Sequence, residues 1–314
     1  MSSSPLEFSK VRGAETRPRD LAPPVVATRR RAGERRFTPF LLVGPHALVL
    51  AIFLILPIAM IVTVSFWQLD GYRMLPAFSL DNYLEILGQP AYRSAYLNTF
   101  KYGVIVWLLT LAIAFPVAYF LAFHVQSTLW RMGCFLVCSV PFLTSNVIRS
   151  ISWIPFLGRN GILNSVLLSS GLTDQPLDVF LYSDVSVVLA MVHLYTLFML
   201  VPIFNTMLRI DHNLIEAARD GGASQLRVLR EVIVPLSAPG IAIGTVFVVS
   251  LVFGDFMTVR LMSGGQAASV GVTIQNMITS LQYPLAAANS VILLVVTLTV
   301  VGLLLRVVDI RKEL

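Results

Sequence analysis

Long stretches of this chain carry no charge, and that leaves little choice of fold. No Asp, Glu, Lys or Arg occurs between Arg36 and Asp70, between Lys101 and Arg131, between Asp184 and Arg209, or between Glu231 and Asp255. A shorter run lies between Arg131 and Arg149, and a longer one joins Arg260 to Arg306. A helix crosses the hydrocarbon of a bilayer in about 20 apolar residues and satisfies its own backbone there. Hydrophobic residues make up 56% of the sequence and charged ones 13%, in blocks rather than amphipathic turns, so the chain is predicted to be an all-α integral membrane protein. Six transmembrane helices are expected, at roughly residues 40 to 66, 99 to 123, 132 to 153, 185 to 208, 238 to 261 and 285 to 305. Pro45, Pro57, Pro116, Pro141 and Pro202 fall inside them, where membrane helices tolerate proline.

Basic residues orient the spans. Lys10, Arg12, Arg17, Arg19, Arg29, Arg30, Arg31, Arg35 and Arg36 precede the first span. An even number of spans puts Arg306, Arg311 and Lys312 on the same side, together with Arg131 and a loop bearing Arg209, Arg219, Arg227 and Arg230. Arg73, Arg93, Lys101, Arg149, Arg159 and Arg260 fall opposite. Both termini and that loop are therefore expected in the cytoplasm. The division expected is a basic disordered tail over 1–36 and a six-span domain over 37–314. The tail's arginines are read as topology determinants and contacts to anionic membrane lipid, so the pI near 9.6 calls for no nucleic acid.

Catalytic chemistry finds little footing. Lys10, Lys101 and Lys312 follow Ser, Phe and Arg, so no Gly-Lys pair can build a P-loop. His46, His124, His193 and His212 lack ligand spacing, and no Gly-x-Ser-x-Gly elbow occurs. Cys134 and Cys138 stand four apart on one face of the third span and read as small apolar residues. No catalytic residue, metal site or cofactor is expected in the chain itself.

One polar stretch interrupts the apolar pattern, EAARDGGASQLRVLREVIVP, from Glu216 to Pro235. Asn213 and Glu216 have the spacing of a helix cap and its partner, and Asp211 adds negative charge at the same helix start. The helix, from about Asn213 to Asp220, is expected to stop at Gly221 and Gly222, since glycine accepts the left-handed conformation. Ser224 caps a second helix with Leu226, Leu229, Val232 and Ile233 on one face and Arg227, Arg230 and Glu231 on the other. Pro235 and Pro239 then redirect the chain. Ala217, Ala218, Gly221 and Gly222 leave the first helix nearly without bulk, so another protein can pack against it closely. An ordinary capped cytoplasmic turn reads from the same residues.

Glu216-Ala217-Ala218, Gly222 beyond three residues, then Val232-Ile233-Val234-Pro235 resembles the EAA motif of inner-membrane permease subunits of bacterial ABC importers. Val232 and Val234 replace the Ile and Leu of that pattern. The resemblance implies type I importer architecture over residues 40 to 305. It also implies that the loop over 211–236 is a coupling helix seated in a groove of an ATPase subunit, with Glu216, Ala217, Ala218, Gly221, Gly222 and Pro235 at the contact. Two stretches, PFLTSNVIRSISWIPFLGRNGILN from Pro141 and GDFMTVRLMSGGQ from Gly254, look most like the spermidine/putrescine class; related classes carry opines, sulfate, iron or sugars. The implied machine has two permeases, identical or similar, two ATPases that bind Mg-ATP, and a periplasmic solute-binding protein.

Asp255 closes an otherwise uncharged fifth span, and a carboxylate near hydrocarbon requires water or a partner. Two roles fit it: countercharge to a cationic solute, or an ion pair with Arg149 or Arg260. Asn146, Tyr195 and Thr258 are the uncharged candidates for the same path. A gradient-driven transporter or channel is the competing class, and a membrane scaffold with no solute a third.

Overall fold

The computed structural model describes residues 38–71 and 73–307. The expected basic tail, Arg311 and Lys312 lie outside them. The chain divides into two compact units after Leu54. The first holds α1 (Thr38–Leu50), and a π-turn over Ala51–Ile55 follows it.

The second unit begins with α2 (Leu56–Val64), an antiparallel hairpin of β1 (Gln68–Asp70) and β2 (Arg73–Leu75), and α3 (Asp81–Gly88). Hydrogen bonds from Ser79 and Gln68 hold the Asp81 carboxyl below its ordinary range and fasten hairpin to helix. The long α4 (Pro90–Tyr119) runs through a second π-turn at Phe120–His124. Then come α5 (Thr128–Ser139), a 3-10 turn (Val140–Leu143), α6 (Asn146–Leu157) and α7 (Ile162–Ser169). After α8 (Asp184–Met207) the chain forms α9 (His212–Asp220), α10 (Gln225–Val228), a π-turn (Leu229–Ile233) and α11 (Val234–Gly254). It closes with α12 (Met257–Ser263), α13 (Val270–Thr279) and α14 (Tyr283–Val307).

Five segments are long and apolar enough to span a membrane, six if a bent pair is counted as one. Gly44–Val64, Asp184–Met207 and Tyr283–Arg306 sit close to the expected spans. The second starts at Pro90 rather than near residue 99, because proline is pre-organised for the first turn and Arg93 and Lys101 extend the helix beyond its uncharged part. The third is not one helix: Thr128–Leu143 and Asn146–Ser169 meet at 90°. Pro141 tightens the end of the first half, and Thr144 and Ser145 leave the helical conformation between the halves. The fifth is shifted from 238–261 to Gln225–Gly254, since Asp255 leaves the helical region (φ −80°, ψ 108°) and stops α11. Pro235 and Pro239 do not redirect the chain; both lie within that continuous segment. Proline at 235 cannot donate to the carbonyl one turn back, and the wider π-turn over Leu229–Ile233 precedes it.

Helices α4, α8 and α11 pack together as the centre of the unit. Tyr102, Val106, Met191, Leu194, Met199, Ile203 and Val248 are buried between them. Trp107 Nε1 donates to Thr245 Oγ1 across the α4–α11 contact at 2.9 Å. In lipid such packing rests on close van der Waals fit and interhelical hydrogen bonds rather than on expulsion of water. A smaller cluster sets Ile86 of α3 against Met277, Leu285 and Ala288.

Candidate functional site

The polar loop is built as two capped helical turns with one face held inward. Asp211, not Asn213, caps α9: its Oδ1 accepts from the Asn213 N–H at 3.0 Å, and the helix starts at His212. An aspartate two residues upstream can accept the N–H that Asn213 would otherwise leave unpaired as an ordinary helical residue. The exit is closed by main chain alone. Gly222 N–H donates to Arg219 O at 2.8 Å and Ala223 N–H to Ala218 O at 3.0 Å, with Gly222 left-handed at φ +83° and Gly221 in the right-handed range at −73°. Ser224 accepts from the Arg227 N–H and caps the next turn as expected.

Ile215, Val228 and Ile233 anchor the loop in the main core. The ring of His212 lies 5.8 Å from that of Phe123 in the π-turn after α4. Leu226, expected on the apolar face, is 55% exposed; Val228 takes the inward position because α10 is only one turn long before the π-turn resets the phase. Glu216, Ala217, Gly221, Gly222 and Pro235 are exposed, and Ala218 half-buried. Nothing approaches within 4 Å of where a side chain on Gly222 would stand. The loop thus presents a firm surface on which Ala217, Gly221 and Gly222 stand among the exposed Leu214, Glu216, Arg219 and Asp220.

At the opposite end of α11, three of the path candidates meet. Tyr195 of α8 donates its hydroxyl to Asp255 Oδ2 at 2.6 Å, and the Thr258 N–H donates to Asp255 Oδ1 at 2.9 Å. Both carboxylate oxygens are engaged, and Asp255 takes up an N–H of the first turn of α12. It forms no ion pair with Arg149 or Arg260. The ion pairs among the described residues are Lys101–Asp184 at 2.7 Å, Arg159–Asp178 at 3.6 Å and Arg227–Glu231 at 3.2 Å. A neutral hydroxyl and a backbone N–H have satisfied the carboxylate in place of the arginine.

Arg149 folds back over the first turn of α6, where Nη2 donates to Asn146 Oδ1 and the guanidinium lies 4.8 Å from the Phe142 ring. It is 6% exposed, and its Nε and Nη1 have no partner in the structure. Because α6 packs on both α8 and α12, Arg149 belongs to the same end of the bundle as Tyr195 and Asp255. His193 accepts from Trp153 Nε1 through Nδ1 at 3.1 Å. Cys134 and Cys138 are half-buried against the main core.

Sequence reasoning missed two features. Lys101 and Tyr102 both bond Asp184 at the start of α8, a contact between residues 83 positions apart that no local pattern announces. Gly240 and Gly244 of α11 lie against the backbone of α8; their four-residue spacing inside an apolar span was the available signal.

A bundle of apolar helices with a capped polar loop leading into the fifth span is the architecture of a multi-pass membrane protein. Residues 35–311 match the family model for the inner membrane component of binding-protein-dependent transport systems, and the chain belongs to that family. It is thus an inner-membrane ABC importer permease subunit, a transport component rather than an enzyme. It is 33% identical over 261 residues to the spermidine/putrescine transport system permease protein PotB of Escherichia coli, covering 82% of this chain and 92% of that protein. The PotB of Haemophilus influenzae is 30% identical over 244 residues, with 77% and 84% covered. A crystal structure of a bacterial ABC transporter for the acidic polysaccharide alginate shares the fold, with TM-score 0.72, 19% identity, and 87% and 95% covered.

Proposed function

We propose that this permease imports a small cationic solute of the polyamine kind by alternating access, driven by ATP hydrolysis in a separate subunit. The observation that carries the coupling part is the exposed α9, closed by main chain, with the small residues Ala217, Gly221 and Gly222 exposed on it and at its exit. Such a helix fits a groove in a partner without losing its shape. The working assembly is two permeases, identical or similar, an ATPase dimer holding Mg-ATP, and a periplasmic binding protein, in contact with membrane lipid. With the basic residues on the α9 side in the cytoplasm, Asp255 stands toward the periplasm, where its carboxylate offers a countercharge to an arriving cation. Similarity to PotB supports the solute class; opines, sulfate, iron and sugars are the alternatives.

Two measurements test this. The detergent-solubilised chain, coexpressed with a candidate ABC ATPase and periplasmic binding protein from the same genome, should copurify with the ATPase. The binding protein should be stabilised against heat by putrescine or spermidine. Stabilisation by sulfate, ferric iron or a sugar instead would overturn the cationic solute and leave the coupling proposal standing.

A further inference from the structure

Glycine is chosen twice on the face of α11 that meets α8. A Cβ built on Gly240 would stand 2.6 Å from Pro202 O, 2.9 Å from Ile203 Cα and 2.5 Å from Thr206 Oγ1. One on Gly244 would stand 2.7 Å from Met199 Sδ, 3.1 Å from Met199 Cα and 3.2 Å from Met199 O. Both contacts include backbone, so at these two points the helices touch main chain to main chain. Along a helix such contacts, one turn apart, fix separation and rotation together.

The two helices joined in this way are the ones that flank the polar loop. α8 leads into α9, and the segment Gln225–Gly254 leads out. Beyond the far end of α11 the same two helices are joined again, where Asp255 accepts from Tyr195 at the middle of α8. From Gly240 to Asp255 is about 22 Å of helix at 1.5 Å per residue. The core on the other side of α11 is equally close: a Cβ on Gly103 of α4 would stand 2.7 Å from the Phe253 ring.

We infer that Gly240 and Gly244 are positioning residues for transport: they bind α8 and α11 into one body, so that a displacement of α9 arrives at the Tyr195–Asp255 contact undiminished. This rests on the coupling role proposed for α9. A larger residue at either position separates the helices and lets α9 move without moving the far end. The backbone clash at Gly240 is the harder one; at Gly244 the Met199 thioether can turn aside, leaving a misfit of a few tenths of an ångström.

The test uses the full complex with its ATPase. Cys134 and Cys138 are replaced by serine, and Met257→Cys, at an exposed position two residues beyond Asp255, reports through its maleimide labelling rate with and without vanadate-trapped ATP. The vanadate-dependent change in rate should shrink roughly twofold in Gly244→Ala and up to roughly thirtyfold in Gly240→Ala, the range for residues inside a coupling element. ATPase copurification and ATP hydrolysis per complex should stay at the parent level. A role in stability alone would lower the yield of complex and leave the change per complex intact; that result, or a parental change in Gly244→Ala, overturns the inference. Gly222→Asp separates it from the proposal beneath it: if that variant keeps the parental change, the coupling role of α9 fails, whatever the glycines do.

Discussion

Gly222 and Asp255 carry opposite kinds of constraint. Gly222 is constrained by its backbone, since a side chain would meet open space but would have to adopt φ +83°. That conformation costs a non-glycine residue about 1 to 2 kcal/mol. Gly222→Asp should therefore insert normally but lose ATPase copurification, because the aspartate adds both strain and a charge at the exposed surface; transport at the parental rate would exclude the coupling role. Asp255 is constrained by its side chain. With both oxygens engaged by Tyr195 and Thr258, Asp255→Asn keeps one acceptor and should assemble, while the half-saturating solute concentration for uptake rises. The double exchange of Asp255→Arg with Arg149→Asp should rescue nothing, since no ion pair joins those residues; recovery of uptake would show that they pair during transport. The roles of single residues were unevenly legible. The left-handed glycine followed from a helix ending in Gly-Gly, but the partner of Asp255 did not, because tyrosine and arginine satisfy a carboxylate equally well on paper and only the packing of α8 decides.

Elements show why span counting worked better than span placement. Charge-free runs located five apolar helices and a bent pair, yet the helices themselves follow caps and breakers: Pro90 moves one start outward, Asp255 moves one end inward, and the turn at Thr144–Ser145 breaks a stretch that composition alone reads as continuous. Long-range clasps lie deeper still. Lys101 and Asp184 are 40% and 54% exposed, so removing the lysine charge with Lys101→Met should lower stability by only about 0.5 kcal/mol. Asp184→Ala should cost more, roughly 1 to 3 kcal/mol, because it also takes the acceptor from the hydroxyl of Tyr102, a residue 1% exposed. Thermal unfolding of the two variants in detergent gives the order; equal losses would mean that Tyr102 finds another acceptor.

The whole molecule is asymmetric across the membrane, with most of its 23 basic residues assigned to the side of α9. A reporter fused after Leu314 should be active only in its cytoplasmic form, and one inserted beside Gly171, which follows α7, only in its periplasmic form; the reverse at either place would overturn the orientation. The second span bears on the membrane in another way. Pro90–His124 has 35 residues, about 52 Å of helix against about 30 Å of hydrocarbon. Its polar end, with Arg93 and Lys101, continues the same helix outward, so the water boundary falls partway along an unbroken rod instead of at a loop. Bilayers of different thickness then shift that boundary by a turn or change the tilt, at fractions of a kcal/mol per Å, and no backbone hydrogen bond has to open for the protein to settle in either.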